Sequence, residues 1–154
     1  MVKTILIAGI SCCGKTSVCN ELFKRDFYAF DFEVFCINGY LKNKSWTCNI
    51  ENIKDLIELS KQQKREYCFL CGNVSNTNEI IKLVDDVVFL TVDLNISLER
   101  AKKRQINNNN NNFFLNEEKQ KKGLFRIDHI VANNDDISKC ADNILEFVKN
   151  EETK

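Results

Sequence analysis

Residues 3–16 limit what this chain can fold into more than any other stretch. Lys3-Thr4-Ile5-Leu6-Ile7-Ala8 is a short apolar, β-branched run, the pattern of a buried strand. It leads directly into Gly9-Ile10-Ser11-Cys12-Cys13-Gly14-Lys15-Thr16, which satisfies G-x-x-x-x-G-K-[ST] at every position. From Thr16 a helical pattern begins, with Val18, Leu22 and Phe23 expected on one face. Each part has a physical task. Gly9 and Gly14 allow backbone conformations in which successive amide N–H groups converge on phosphate oxygens. The helix behind them adds its positive end. Lys15 carries a mobile cation to the β- and γ-phosphates, and Thr16 offers a hydroxyl to Mg²⁺. Ser11, Cys12, Cys13 and Ser17 complete the expected phosphate-binding set. The stretch predicts a nucleotide phosphate site.

Length narrows the frame around that site. A chain of 154 residues is long enough for a real core and too short for two domains, so a single domain over 1–154 is expected. Lys+Arg 22 against Asp+Glu 22 leaves no net charge to draw the protein toward nucleic acid or anionic lipid. No apolar run approaches the roughly 20 residues of a membrane span, and the N-terminus enters the first strand directly, so a cytoplasmic protein is expected. In that setting the eight cysteines read as reduced thiols. Cys68-Phe69-Leu70-Cys71 has C-x-x-C spacing, but it lies in an apolar run with no second Cys/His pair, so buried thiols outrank a zinc site. Cys12 and Cys13 sit in the phosphate loop, where amide dipoles are expected to lower a thiol pKa.

Further along, strands and helices alternate. Residues 27–32 read as a second strand that places Asp31-Phe32-Glu33 at its carboxyl end, the edge where open α/β sheets bind ligands. One carboxylate of that pair suits Mg²⁺ or its water, and the other a substrate hydroxyl. Trp46 follows as a core anchor or a wall of the acceptor pocket. Residues 51–65 form an amphipathic helix with Ile53, Leu56, Ile57 and Ser60 inward. A third strand from Tyr67 to Cys71 ends in Gly72-Asn73, where the glycine permits close approach to phosphates and the polar residues that follow cap a helix carrying Ile80, Ile81 and Val84. Residues 87–92 are the plainest buried strand and end at Asp93, which competes with Asp31 as the acidic partner of Mg²⁺; the sequence leaves both open. A helix over 96–106 carries Arg100 and Arg104 and runs into six asparagines, 107–112, a low-complexity tract placed where a lid over 105–122 would lie. Ile127 to Val131 give a fifth strand containing His129, expected to be structural or solvated and not catalytic, and 137–148 a final amphipathic helix. The alternation implies a parallel sheet with helices on both faces.

Taken together, Gly9–Thr16, Asp31-Phe32-Glu33, Cys71-Gly72-Asn73 and the Arg100/Arg104 helix resemble the small P-loop kinases, a group that includes shikimate, gluconate and adenylate kinases. More narrowly, Gly9–Thr16, Trp46, Cys71–Asn76 and Asp86–Leu90 are similar to nucleoside kinase-like proteins often labelled AAA-family ATPases. The resemblance implies a three-layer P-loop NTPase fold, an α/β architecture with five parallel strands in the order 2-3-1-4-5 and a lid. It also implies that Arg104 is a lid arginine reaching the transferring phosphoryl, and that Arg100 lies near the adenine or its phosphates. Asn133, Asn134 and Asp135 would then sit where the adenine ring is held.

The leading functional expectation is an ATP- and Mg²⁺-dependent kinase. Lys15, Asp31 and Arg104 serve catalysis, and Glu33, Gly72 and Asn73 hold a small-molecule acceptor. One alternative is a switch or ATPase that hydrolyses slowly. A GTPase form of it is disfavoured because Asp-x-x-Gly is absent and Asn43-Lys44-Ser45-Trp46 lacks the guanine-reading aspartate. A polynucleotide kinase is a third, weakened by the missing basic surplus.

Overall fold

The computed structural model describes residues 2–9, 13–35, 47–103, 119, 121–134 and 136–152. Ser11, Cys12, Trp46, Arg104, the asparagine tract, most of the expected lid and Asp135 lie outside the described residues.

The chain runs through β1 (Lys3–Gly9), α1 (Lys15–Lys24), β2 (Tyr28–Asp31), a 3₁₀ turn (Phe32–Phe35), α2 (Ile50–Gln62), β3 (Tyr67–Cys71), α3 (Thr77–Ile81), β4 (Asp86–Thr91), α4 (Leu94–Lys103), β5 (His129–Ala132) and α5 (Ile137–Glu152). The five strands form one parallel sheet in the order β2-β3-β1-β4-β5, the order that the family resemblance implies. β1 lies at the centre, paired with β3 on one side (Ile7 opposite Cys71) and with β4 on the other (Gly9 opposite Leu90). The phosphate loop therefore leaves the middle of the sheet at its carboxyl edge, in the crevice where the strand order reverses.

Both faces of the sheet are covered, which is why β1, β3 and β4 read as nearly unbroken apolar runs. Alternate residues of β1 serve opposite layers. Ile5 and Ile7 join Val18, Leu22, Val88, Leu90, Ile144 and Val148 on the α1/α5 side. Leu6 and Ala8 join Phe32, Ile53, Ile57, Ile80 and Phe89 on the α2/α3 side. The same alternation explains Cys68 and Cys71. Three positions apart on a strand, they point to opposite layers, Cys68 with the second group and Cys71 with the first, and both are buried, unbridged thiols.

Two local expectations change. The inner face of α1 is Lys15, Val18, Cys19 and Leu22, while Phe23 is 68% exposed. The buried residues follow the i, i+3, i+4, i+7 spacing from Lys15, and Phe23, one residue past Leu22, is turned about 100° from it, out of the stripe. The second strand ends at Asp31, and the chain then tightens into the 3₁₀ turn, so that Phe32 drops fully into the core. His129 stacks on Phe147 at 4.3 Å between ring centres, a structural role, one of the two expected of it.

Candidate nucleotide site

The carboxyl ends of all five strands and the start of α1 build the site. Gly14 precedes α1 with φ +95°, a left-handed conformation that glycine adopts without a Cβ penalty. It also has no room for a side chain, because an added Cβ would run into the Asn133 amide nitrogen. Behind it, Lys15 turns back over the loop. Its Nζ donates to the Gly9 carbonyl at 2.5 Å and lies 3.9 Å from Cys13 Sγ. Thr16 and Ser17 are exposed in the first turn. Thr16 Oγ1 donates to Asp31 Oδ2 at 3.2 Å, which joins the loop to the end of β2.

Asp31 and Glu33 do come together with Lys15. Asp31 Oδ1 accepts the Glu33 backbone N–H at 3.2 Å, which fixes the turn between the two acids. Burial pushes the Glu33 carboxyl above its ordinary range; Lys15 opposes that rise, Asp31 adds to it, and the Asn73 backbone N–H opposes it. Glu33 thus lies within electrostatic reach of both the loop lysine and the end of β3.

At the end of β3, Asn73 Nδ2 donates to the Gly9 carbonyl at 3.2 Å, so that one oxygen receives both Lys15 and Asn73. Buried Thr77 orients that amide by donating to Asn73 Oδ1 at 3.0 Å. The sequence reading passed over Thr77; its spacing of four from Asn73 at a helix start was the available signal. The space beside Gly72, expected to admit phosphates, belongs to neighbouring side chains instead. A Cβ there would come within 2.9 Å of Phe32 Cζ and 3.0 Å of Glu33 Cγ, so the glycine makes room for the acid-bearing turn.

On the other flank, Asp93 is exposed after β4, its N–H donating to Asn134 Oδ1 at 2.7 Å. Arg100 Nη2 donates to the Asn133 carbonyl at 2.9 Å. Asn133, at the position that the family resemblance places near adenine, has its side chain turned inward. The Asn133 side chain is fully buried beneath the loop and donates from Nδ2 to the Cys13 carbonyl at 2.8 Å. The expected acidification of Cys13 is corrected. Its side chain turns into the core with no exposure, and desolvation raises the thiol pKa more than Lys15 lowers it. Cys140, packed in the same layer, is pushed up to about 12, again mainly by burial.

A lysine, a hydroxyl, two carboxylates and an amide thus gather at one sheet edge beside a helix N-terminus. That set suits binding of a polyphosphate and a divalent cation. The AAA_18 family model, described as AAA domain, matches residues 5–123. Shikimate kinase from Acinetobacter baumannii in complex with shikimate has a similar structure, with a TM-score of 0.66 at 15% identity, covering 100% of this chain and 97% of that one. Shikimate kinase from Aquifex aeolicus gives 0.60 at 17% identity over 97% and 98% of the two chains. Deoxyadenosine kinase from M. mycoides gives 0.56 at 15% identity over 96% and 99%. A search of curated protein sequences finds no match.

Proposed function

Because the chain belongs to the AAA-domain family whose model covers residues 5–123, we propose that it is a kinase that transfers the γ-phosphoryl of ATP to a small acceptor, with Mg²⁺ present. The observation that carries this reading is the union of Thr16 with Asp31 at 3.2 Å, one from the phosphate loop and one from β2, with Lys15 and Glu33 beside them. A hydrolytic switch needs the loop. A kinase also needs acids at the neighbouring strand end, facing an acceptor.

In this reading the loop amides and Lys15 hold the polyphosphate, and Lys15 leaves the Gly9 carbonyl to do so. Asn73 stays on that carbonyl, which keeps the loop entrance fixed when the lysine moves. Thr16 and Asp31 supply hard oxygen donors of the kind Mg²⁺ takes, and Asp31 is preferred to Asp93 because Thr16 already meets it. When bound, the ion offsets charge on the phosphate oxygens. Glu33 holds the acceptor hydroxyl; its raised pKa brings it closer to the range useful for accepting a proton. As the acceptor oxygen forms its bond to the γ-phosphorus, the bond to the ADP oxygen breaks and the hydroxyl proton passes to Glu33. Arg104, a sequence expectation outside the described residues, would add positive charge during transfer. Solved kinases of the same fold, one in complex with shikimate and one named for deoxyadenosine, favour a small acceptor over a polynucleotide.

A coupled ADP-release screen across nucleosides, nucleotides, sugars and hydroxy acids tests the reading. Release that one acceptor class stimulates well above the basal rate is expected. A slow rate that no acceptor changes would favour the hydrolytic switch.

A further inference from the structure

Asn133 is the residue that the function above leaves unexplained. It follows β5, in a position where a polar residue normally faces solvent, yet its side chain is 0% exposed. Three contacts hold it there. Its backbone N–H donates to the Thr91 carbonyl at 2.7 Å, its carbonyl accepts Arg100 Nη2 at 2.9 Å, and its Nδ2 donates to the Cys13 carbonyl at 2.8 Å. Its Oδ1 has no hydrogen-bond partner among the described residues. A side chain kept in the interior with one polar atom unmet is retained for what its other atom does.

We propose that Asn133 is a positioning residue that aims the Gly14 N–H into the phosphate cradle. The argument follows from peptide geometry. In a planar trans peptide the C=O and the N–H point in opposite directions. The Asn133 amide holds the Cys13 carbonyl from within the core, so the N–H on the other side of the same bond, that of Gly14, is turned the opposite way. Gly14 sits against that amide with no space for a Cβ, so the contact also enforces glycine there. Arg100 fixes the Asn133 backbone from α4, which gives the bracket a second anchor outside the sheet. The side chain has to offer a donor there: a carboxylate in the same place would set two acceptors against each other in a buried site. Asn133 therefore acts through the loop and touches no part of the nucleotide. This assignment rests on the nucleotide reading above.

The test is the affinity for ATP and for GTP, by calorimetry and competition, in the wild type and in Asn133→Ala, with thermal melts of both. The two affinities should fall by the same factor, about tenfold or more, so that their ratio is unchanged. The Gly14 amide proton, shifted by ATP in the wild type, should stay near its free position in the variant. A changed ATP-to-GTP ratio would mean that Asn133 reads the base, and unchanged affinities would mean that the loop stands without it; either overturns the proposal. Should Asn133→Ala fail to fold, Asn133→Ser, which keeps a donor on a shorter stem, takes its place. Loss of the fold in both makes the residue structural and also overturns it. A wild type that binds neither triphosphate overturns the nucleotide reading itself, a result distinct from a wild type that binds and a variant that binds equally well.

Discussion

At the amino edge of the sheet, acids pair with strand-end amides and cations, with Asp86 Oδ2 and Arg126 Nε held by ion pairs without a hydrogen bond among the described residues. Asp85 accepts the Thr4 N–H at 2.8 Å, Asp86 pairs with Lys3 at 3.1 Å, and Asp128 takes both the Val87 N–H at 2.8 Å and Arg126 at 3.0 Å. At the carboxyl edge the polar groups gather around the phosphate loop instead. Glu33 sits where burial opposes its charge, Asn133 Oδ1 lacks a partner among the described residues, and Lys15 and Asn73 share a single carbonyl. The amino edge spends its acids on strand ends and their loops, and the carboxyl edge keeps its polar groups ready for a ligand. An Asp or Glu in this fold is therefore understood from the sheet edge it serves.

The comparison breaks first at Lys15. Lys15→Ala should lower kcat/KM by a factor on the order of 10²–10³ while the melting temperature stays near that of the wild type. Unchanged ATP affinity and turnover would remove the carboxyl edge from the chemistry altogether. Next comes the choice between acids. Asp31→Asn keeps the shape and removes the charge that faces Thr16, and should cost about 10²-fold in turnover, with Asp93→Asn costing much less. Steady-state kinetics of the two variants decides it, and the reverse ranking moves the metal role to Asp93.

The amino edge should show the opposite profile. Asp128→Ala strips the Val87 N–H and Arg126 of their common partner and should cost about 1–3 kcal/mol of stability. Chemical denaturation would show that loss, and turnover below the melting range should be unchanged. A variant that folded normally yet turned over slowly would erase the distinction between the edges.

Most of the fold was legible because its strands are short apolar runs separated by amphipathic helices, and because the phosphate loop fixes where β1 ends. Lys15, Thr16, Asp31 and Glu33 were legible for a related reason: a strand end plus a charged or hydroxyl side chain suffices to place each at the crevice. Other features depended on direction, which spacing does not encode. Whether Cys13 faces phosphate or core depends on how the loop turns over Gly14 and Lys15. Asn133, polar and just past an edge strand, reads as a solvated loop residue until the loop is seen resting on it. Phe23 was misplaced because it follows Leu22 by one residue and Val18 by five, which turns it about 100° and 140° away from them and off the stripe that Lys15, Val18, Cys19 and Leu22 form.

The smallest effect separates the edges by pH. In the ligand-free protein, burial raises the Glu33 carboxyl above its ordinary range, so its folded-state pKa exceeds the unfolded one. A group with that sign contributes stability that is fully present below the unfolded pKa and is lost as pH rises through the folded value. Glu33→Gln removes the titration, so the variant should gain on the wild type as pH climbs through the mildly acidic range and level off above it. The gain should remain within about 1 kcal/mol, the scale of an ordinary substitution. Melts at a series of pH values, taken as the variant-minus-wild-type difference, measure it directly. The same variant should turn over more slowly with any acceptor the screen finds, since it has lost the carboxylate assigned to the hydroxyl. A difference that is flat with pH, or that runs the other way, would mean that Lys15 already neutralises Glu33 in the resting site. Glu33 would then be part of a closed ion pair like those at the amino edge.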